Sequence, residues 1–176
     1  MAEIVVGITG GIAAYKTAAL VSKLVQDGDA ISVVMTSAAE RFIGAATFAA
    51  LTGRPVARDI FDEAQFPLGA HITLAERAQL LVVAPASADF LAKAAHGLAD
   101  DLLATLYLAF KGTILMAPAM NTAMWEQPSV QRNITQLRAD GVHFVDPTSG
   151  WLSCRQTGKG RMAEPDAILA AIKALL

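Results

Sequence analysis

The chain has 176 residues, 54% of them hydrophobic and 17% charged, and a formal net charge of -2. That length suits one domain, residues 1–176, able to bury a core without cross-links, and the single cysteine, Cys154, excludes an intrachain disulfide and a multi-cysteine zinc site. Scattered rather than clustered Lys and Arg offer no basic face for nucleic acid, and no window reaches the ~18 apolar residues of a membrane span.

The N-terminus, MAEIVVGITGG, lacks a basic leader region and runs straight into a strand at Glu3–Thr9, so a cytoplasmic location is expected. Ile12–Gln26 carries Leu20, Val21, Leu24 and Val25 at helical spacing and stops at Asp27-Gly28. Ala30–Thr36 reads as a second strand. Ser37 would cap a helix through Ala50 that ends at Gly53-Arg54-Pro55. A short strand over Val56–Phe61, a loop and a short helix over Ile72–Arg77 follow.

Gln79–Ala84 is too apolar for a strand with a solvated face. Helices are expected at Ser87–Ala95 and Ala99–Phe110, and Asp100-Asp101 suits a helix start. A buried strand at Thr113–Ala117, a helix near Ser129–Ala139, a strand at Val142–Val145, a polar loop over Asp146–Ala163 and a helix from Asp166 complete the chain. Strand and helix alternate throughout, so the expected architecture is α/β, a doubly wound parallel sheet. The hydrophobic share exceeds the usual 45–50% or so, which predicts apolar surface covered by other subunits.

Ligands of such sheets bind outside the carboxyl ends of the strands, and the loops there carry the candidate chemistry. Gly10-Gly11 opens a helix and exposes amides suited to a phosphate or another electron-rich group. Its spacing is not G-x-G-x-x-G and no acidic residue closes the second strand, which disfavours a dinucleotide site. Thr36-Ser37 and Pro85-Ala86-Ser87-Ala88 each place a hydroxyl at a helix start, as an ordinary N-cap or as part of a phosphate pocket. His71 sits in a loop, as a surface residue or as a base. His96 and His143 have less to recommend them, and no paired His or Cys spacing supports a metal site.

The stretch 150–162, GWLSCRQTGKGRM, is too polar and glycine-rich for a core and reads as a mobile flap. Cys154, close in sequence to Arg155, Lys159 and Arg161, is either a bystander or a thiol with a favoured thiolate. Finally, PAMNTAMW at 118–125 follows a buried strand and gives Asn121 a polar task among apolar neighbours.

Over nearly its whole length the chain resembles the homo-oligomeric flavin-containing cysteine decarboxylases, and within them the phosphopantothenoylcysteine decarboxylases of coenzyme A synthesis. The resemblance rests on GGIAAYK (10–16), HITLA (71–75), APASADFLAKAAHGLADDLLAT (84–105), PAMNTAMW (118–125) and SCRQTGKGRM (153–162). It implies a flavodoxin-like (Rossmann-like) fold, FMN held at a subunit interface, and trimers that assemble further into dodecamers. Oxidation of the substrate's cysteine side chain to a thioaldehyde would let CO2 leave as an ene-thiol forms, and re-reduction would give phosphopantetheine.

By resemblance His71 is the base or orienting group of the oxidative half, Asn121 the carboxylate clamp, and Cys154 the proton donor to the ene-thiol. The flavin would be held by Gly10, Gly11, Ile12, Thr36, Ser37, Ser87, Ala88, Asp89, Phe90, Ala119 and Met120, and the substrate by Asn121, Lys159 and Arg161. Three positions depart from the family's pattern: Gly11 stands for a frequent serine, Asp89 for an asparagine, and Arg155 for a glycine.

A peptidyl-cysteine decarboxylase and a non-catalytic flavin-binding regulatory subunit stay open as alternatives. The ligase domain of many bacterial members is not among these residues, so another protein supplies that step or the chain is a cut-out domain.

Overall fold

The computed structural model describes residues 1–176. Five parallel strands form the sheet in the order β2-β1-β3-β4-β5. These are β1 (Glu3–Ile8), β2 (Ala30–Met35), β3 (Leu80–Ala86), β4 (Thr113–Pro118) and β5 (His143–Phe144). Ile4 stands opposite Ile31 on one side and Leu80 on the other, which sets the register at the sheet's centre. All seven residues of β3 are buried, the reason its sequence shows no polar alternation.

Helices cover both faces. Ile4, Val6 and Ile8 point into one core, packed beneath α1 (Ala14–Gln26), α2 (Ala45–Thr52) and α8 (Pro165–Leu175). Val5, Leu81 and Val83 point into the other, beneath α3 (Ala70–Arg77), α4 (Ala88–His96), α5 (Leu102–Ala109) and α7 (Pro128–Ala139). The alternation follows from the two-residue period of a strand. The cores hold 22 and 21 buried residues, so neither face is left to solvent. This is the flavodoxin-like, Rossmann-type arrangement expected. No helix is long and apolar enough to cross a membrane.

The local signals hold where a cap or stop is explicit. Ser87 caps α4 by accepting from the amide of Phe90 at 3.2 Å, and Asp101 caps α5 by accepting from Ala104 at 2.8 Å. Gly53 and Gly97 end α2 and α4 in the left-handed region.

Elsewhere the structure corrects the expectation. The helix predicted from Ser37 to Ala50 is broken. A 3-10 turn spans Ala39–Arg41, extended Gly44 interrupts, and α2 starts at Ala45. Thr36, not Ser37, supplies the hydroxyl, accepting from Ala39 at 3.3 Å. Val56–Phe61 is not a strand: only Ala57 bridges to β2, and Asp59 and Asp62 turn the chain by accepting the amides of Phe61 and Gln65. The loop 146–163 contains an antiparallel hairpin, β6 (Thr148–Trp151) and β7 (Thr157–Arg161). A one-turn helix, α6 (Thr122–Trp125), follows β4.

Candidate active site

From β1 the chain winds outward to β2, and from β3 it winds the other way to β4, so a crevice opens between the carboxyl ends of β1 and β3. A cleft of about 350 Å³ lies there. Its first wall is the turn Gly10–Ala13 and the first turn of α1; its second is the start of α4 and the loop from β4 to α6; its third is the β6–β7 hairpin.

Buried hydrogen bonds fix the first two walls. Thr9 Oγ1 donates to Pro85 O at 2.7 Å and accepts from the Ser87 amide at 2.9 Å. Thr17 Oγ1 donates to Ala84 O at 2.7 Å. These bonds tie α1 and the end of β1 to the end of β3. Gly10 is glycine for a packing reason: a Cβ there would lie 2.6 Å from that of Ala38. At Gly11 a Cβ would meet only Pro85 Cγ, at 3.8 Å, so a serine would fit. The amides of Gly10 to Ala13 bond to no acceptor of the chain, and with the N-terminus of α4 they favour an anionic group.

Asn121 caps α6, its Oδ1 accepting from the Met124 amide at 2.8 Å. That bond commits the oxygen and leaves the amide N–H donors to the cleft. The hairpin docks on this loop by backbone contact: the Met120 amide donates to Gly160 O at 3.0 Å. Gly160 has φ 140, and a Cβ on it would lie 2.3 Å from Met120 O. A Cβ on Gly158 would lie 2.2 Å from Thr122 Oγ1. The alternating glycines of TGKGR are therefore the surface that meets α6 and the loop before it.

Cys154 stands exposed in the hairpin turn and lines the cleft. Arg155 beside it has φ 63, a left-handed conformation that favours glycine, so the frequent glycine of the resemblance is the residue that this backbone prefers.

Of the residues singled out in the sequence, Gly10, Gly11, Ile12, Ser87, Ala88, Ala119, Met120, Asn121, Cys154 and Arg161 line the one cleft. The others do not. Thr36 and Ser37 lie in the next loop, where Thr36 caps its own turn. Phe90 is in the core, edge-on to Tyr107 with ring centroids 6.3 Å apart, because it falls on the inward face of α4.

Asp89 is turned outward and pairs with Lys93 at 3.3 Å. Burial pulls the Lys93 ammonium down, but its bond to Asp100 and the fields of Asp101 and Asp89 more than offset this and hold it above the ordinary lysine range. Asp89 shares this one ammonium with Asp100 and Asp101. Lys159 lies over the Trp125 ring, 5.5 Å from its centroid, and not in the cleft. His71 is in the first turn of α3 rather than a loop, outside this cleft, with a buried Nδ1 that has no partner within the chain.

The sequence did not single out Lys16, Tyr15 or Glu164, and Met124, which it suggests only as packing that fixes the loop, lines the cleft. Lys16 lines the cleft at only 7% exposure, and its Nζ donates to Glu164 Oε1 at 2.9 Å. Tyr15 and Lys16 lie in the first turn of α1, directly after the Gly10–Ala13 turn that forms the same wall. Trp151 and Tyr15 stand 64% and 61% exposed at the rim.

Comparison with known proteins agrees with this fold. The profile of the Flavoprotein family matches residues 1–176. The bifunctional coenzyme A biosynthesis protein CoaBC of Bacillus subtilis is 46% identical over 162 residues, covering 92% of this chain and 40% of the relative. That of Haemophilus influenzae is 45% identical over 171 residues, 97% of this chain and 42% of the relative. The chain thus spans about two fifths of the length of these curated relatives.

Among solved structures, the FMN-dependent cysteine decarboxylase SpaF matches with TM-score 0.87 and 34% identity, over 99% of this chain and 95% of that one. A PPC decarboxylase with a cysteine-to-serine mutation, complexed with pantothenoylaminoethenethiol, matches with TM-score 0.87 and 27% identity, over 98% and 97%. With the profile spanning every residue and the cleft built from the same loops that carry the motifs, the chain belongs to the Flavoprotein family.

Proposed function

We propose that the chain, as one decarboxylase domain over residues 1–176, is an FMN-dependent decarboxylase that converts phosphopantothenoylcysteine to phosphopantetheine in coenzyme A biosynthesis. The observation that carries this reading is the pairing of Asn121 and Cys154 on one cleft, an amide with committed oxygen and free donors facing the hairpin that bears the thiol. The CoaBC relatives and the PPC decarboxylase structure support the substrate.

The cleft suits FMN: unmatched amides at Gly10–Ala13 and the start of α4 for the phosphate, apolar Ile12, Ala119 and Met120 for the ring. Bound there, FMN supplies the two-electron oxidation of the substrate's cysteine side chain and its later re-reduction. Loss of CO2 from an ordinary carboxylate leaves an unstabilised carbanion, so the carboxylate must be held until a sulfur-bearing carbon can accept the electrons.

The Asn121 amide donors hold it, since their direction is fixed by the cap bond to Met124. Cys154 Sγ then gives its proton to the ene-thiol carbon. Arg161, with Lys16, offers positive charge to an anionic substrate. His71, which lies outside the cleft of its own chain, would join a site where subunits pack together in a cytoplasmic trimer or dodecamer. Exposed Phe42, Phe61, Leu68 and Ile72 are the apolar surface that such an assembly would cover.

The likeness to SpaF, an FMN-dependent cysteine decarboxylase, is equally compatible with a second reading, a peptidyl-cysteine decarboxylase. The thiol at Cys154 argues against it, because release of the ene-thiol needs no proton donor.

One preparation tests both. Loaded with FMN, the protein is expected to release CO2 from phosphopantothenoylcysteine and yield phosphopantetheine by mass spectrometry. Failure to take up FMN overturns the proposal, and turnover of a C-terminal cysteine peptide alone selects the second reading. Asn121→Asp keeps the helix cap but sets a charge against the carboxylate, and is expected to slow CO2 release by roughly 100-fold. Cys154→Ser is expected to release CO2 and accumulate the ene-thiol.

A further inference from the structure

The hairpin that carries Cys154 is tied down by two contacts at the C-terminal end of β7. One tie is the backbone bond from Met120 to Gly160. The other is an ion cluster: Arg161 Nη2 donates to Glu164 Oε1 at 2.7 Å, and the same oxygen accepts from Lys16 Nζ at 2.9 Å. Lys16 also donates to Met162 O at 3.4 Å.

One carboxylate oxygen therefore joins the last residue of the hairpin to the helix that follows the Gly10-Gly11 turn. Two cations share one anion, so the cluster leaves one positive charge at the cleft. Glu164 itself does not line the cleft. An exposed pair such as Arg161–Glu164 stabilises little on its own. Lys16 is different: it is almost wholly buried, and without Glu164 its ammonium keeps only one long bond to a carbonyl. The hydrogen bond from Lys16 holds the Glu164 carboxyl below the usual carboxylate range, as expected for a committed acceptor.

Resting on the activity proposed above, we propose that Glu164 is a positioning residue, which sets the hairpin over the cleft and so decides whether Cys154 meets the ene-thiol before it escapes. It touches neither reactant and acts only through Arg161 and Lys16. No bond to the substrate is made or broken by it.

The test compares Glu164→Gln, which keeps the shape and removes the charge, with Glu164→Asp, which keeps the charge on a shorter arm, in the FMN-loaded chain. Amide hydrogen exchange across Thr148–Arg161 is expected to quicken about tenfold in Glu164→Gln while the strands β1, β3 and β4 stay protected. With phosphopantothenoylcysteine, CO2 release should persist while a larger fraction of product leaves as ene-thiol. Glu164→Asp should restore both toward wild type.

Wild-type exchange in the hairpin of Glu164→Gln overturns the proposal, as does equal loss of protection across the sheet, which would mark a role in global stability. A loosened hairpin with unchanged product overturns the link to Cys154. If the wild-type chain releases no CO2, the proposed activity fails, and the exchange comparison still decides whether Glu164 holds the hairpin.

Discussion

Two walls of one cleft are built on different physics. The wall from Gly10 to Lys16 is locked to the end of β3 by the buried hydroxyls of Thr9 and Thr17, each donating at 2.7 Å to a carbonyl. The wall opposite, the β6–β7 hairpin, has little core of its own and is held by glycine-mediated backbone contact and a cluster of ions. The first arrangement suits a part that must not move, as the proposed seat of the FMN phosphate requires. The second suits the proposed role of a part that admits substrate and then presents a thiol. A fold can place both beside each other because the sheet fixes the first and only touches the second.

Breaking the hairpin's contact should have the largest effect. Gly160→Ala puts a Cβ against a backbone carbonyl at a φ that side chains rarely adopt, and is expected to cost about 2–3 kcal/mol of local stability. Limited proteolysis should then cut within 148–161 well before the sheet unfolds. Intact protection there would show that backbone docking does not hold the hairpin.

The locked wall is probed by Thr17→Val, which removes a buried donor and should lower global stability by about 1–2 kcal/mol in denaturant titration. Its loss should spread through α1 and β3 rather than stay local, since Thr17 joins those two elements. The smallest effect is expected from Gly11→Ser. Its Cβ meets only ordinary contact, so stability should change by no more than about 0.5 kcal/mol. FMN titration of this variant then reads what an added hydroxyl at the cleft contributes. A large loss of stability would show that the turn is tighter than its geometry indicates.

The sheet and most helices were legible because their signals are local. An apolar run such as Gln79–Ala84 reads as a central strand, and Ser87, Asp101 and Gly53 act within three or four residues of themselves. The hairpin was not legible, since a strand whose alternation is glycine rather than apolar matches no buried-strand pattern. Its reason, Thr122 and Met120 on the other side, lies across the fold. Phe90 and Ser87 show the same limit inside one motif. Both fall in the start of α4, yet one enters the core and the other the cleft, and only the packing face of the helix separates them.

By itself the sequence determined the alternating α/β plan, the lone thiol, the asparagine after the fourth strand and the motifs that place the chain in its family. All of these are written in near neighbours or in residue identity. The tertiary structure alone decided which of those residues share a cleft. It set His71 outside it, turned Asp89 toward Lys93, and brought Lys16 to Glu164 across 148 positions of sequence. Such choices depend on which helix packs on which face of the sheet, and no local pattern carries that.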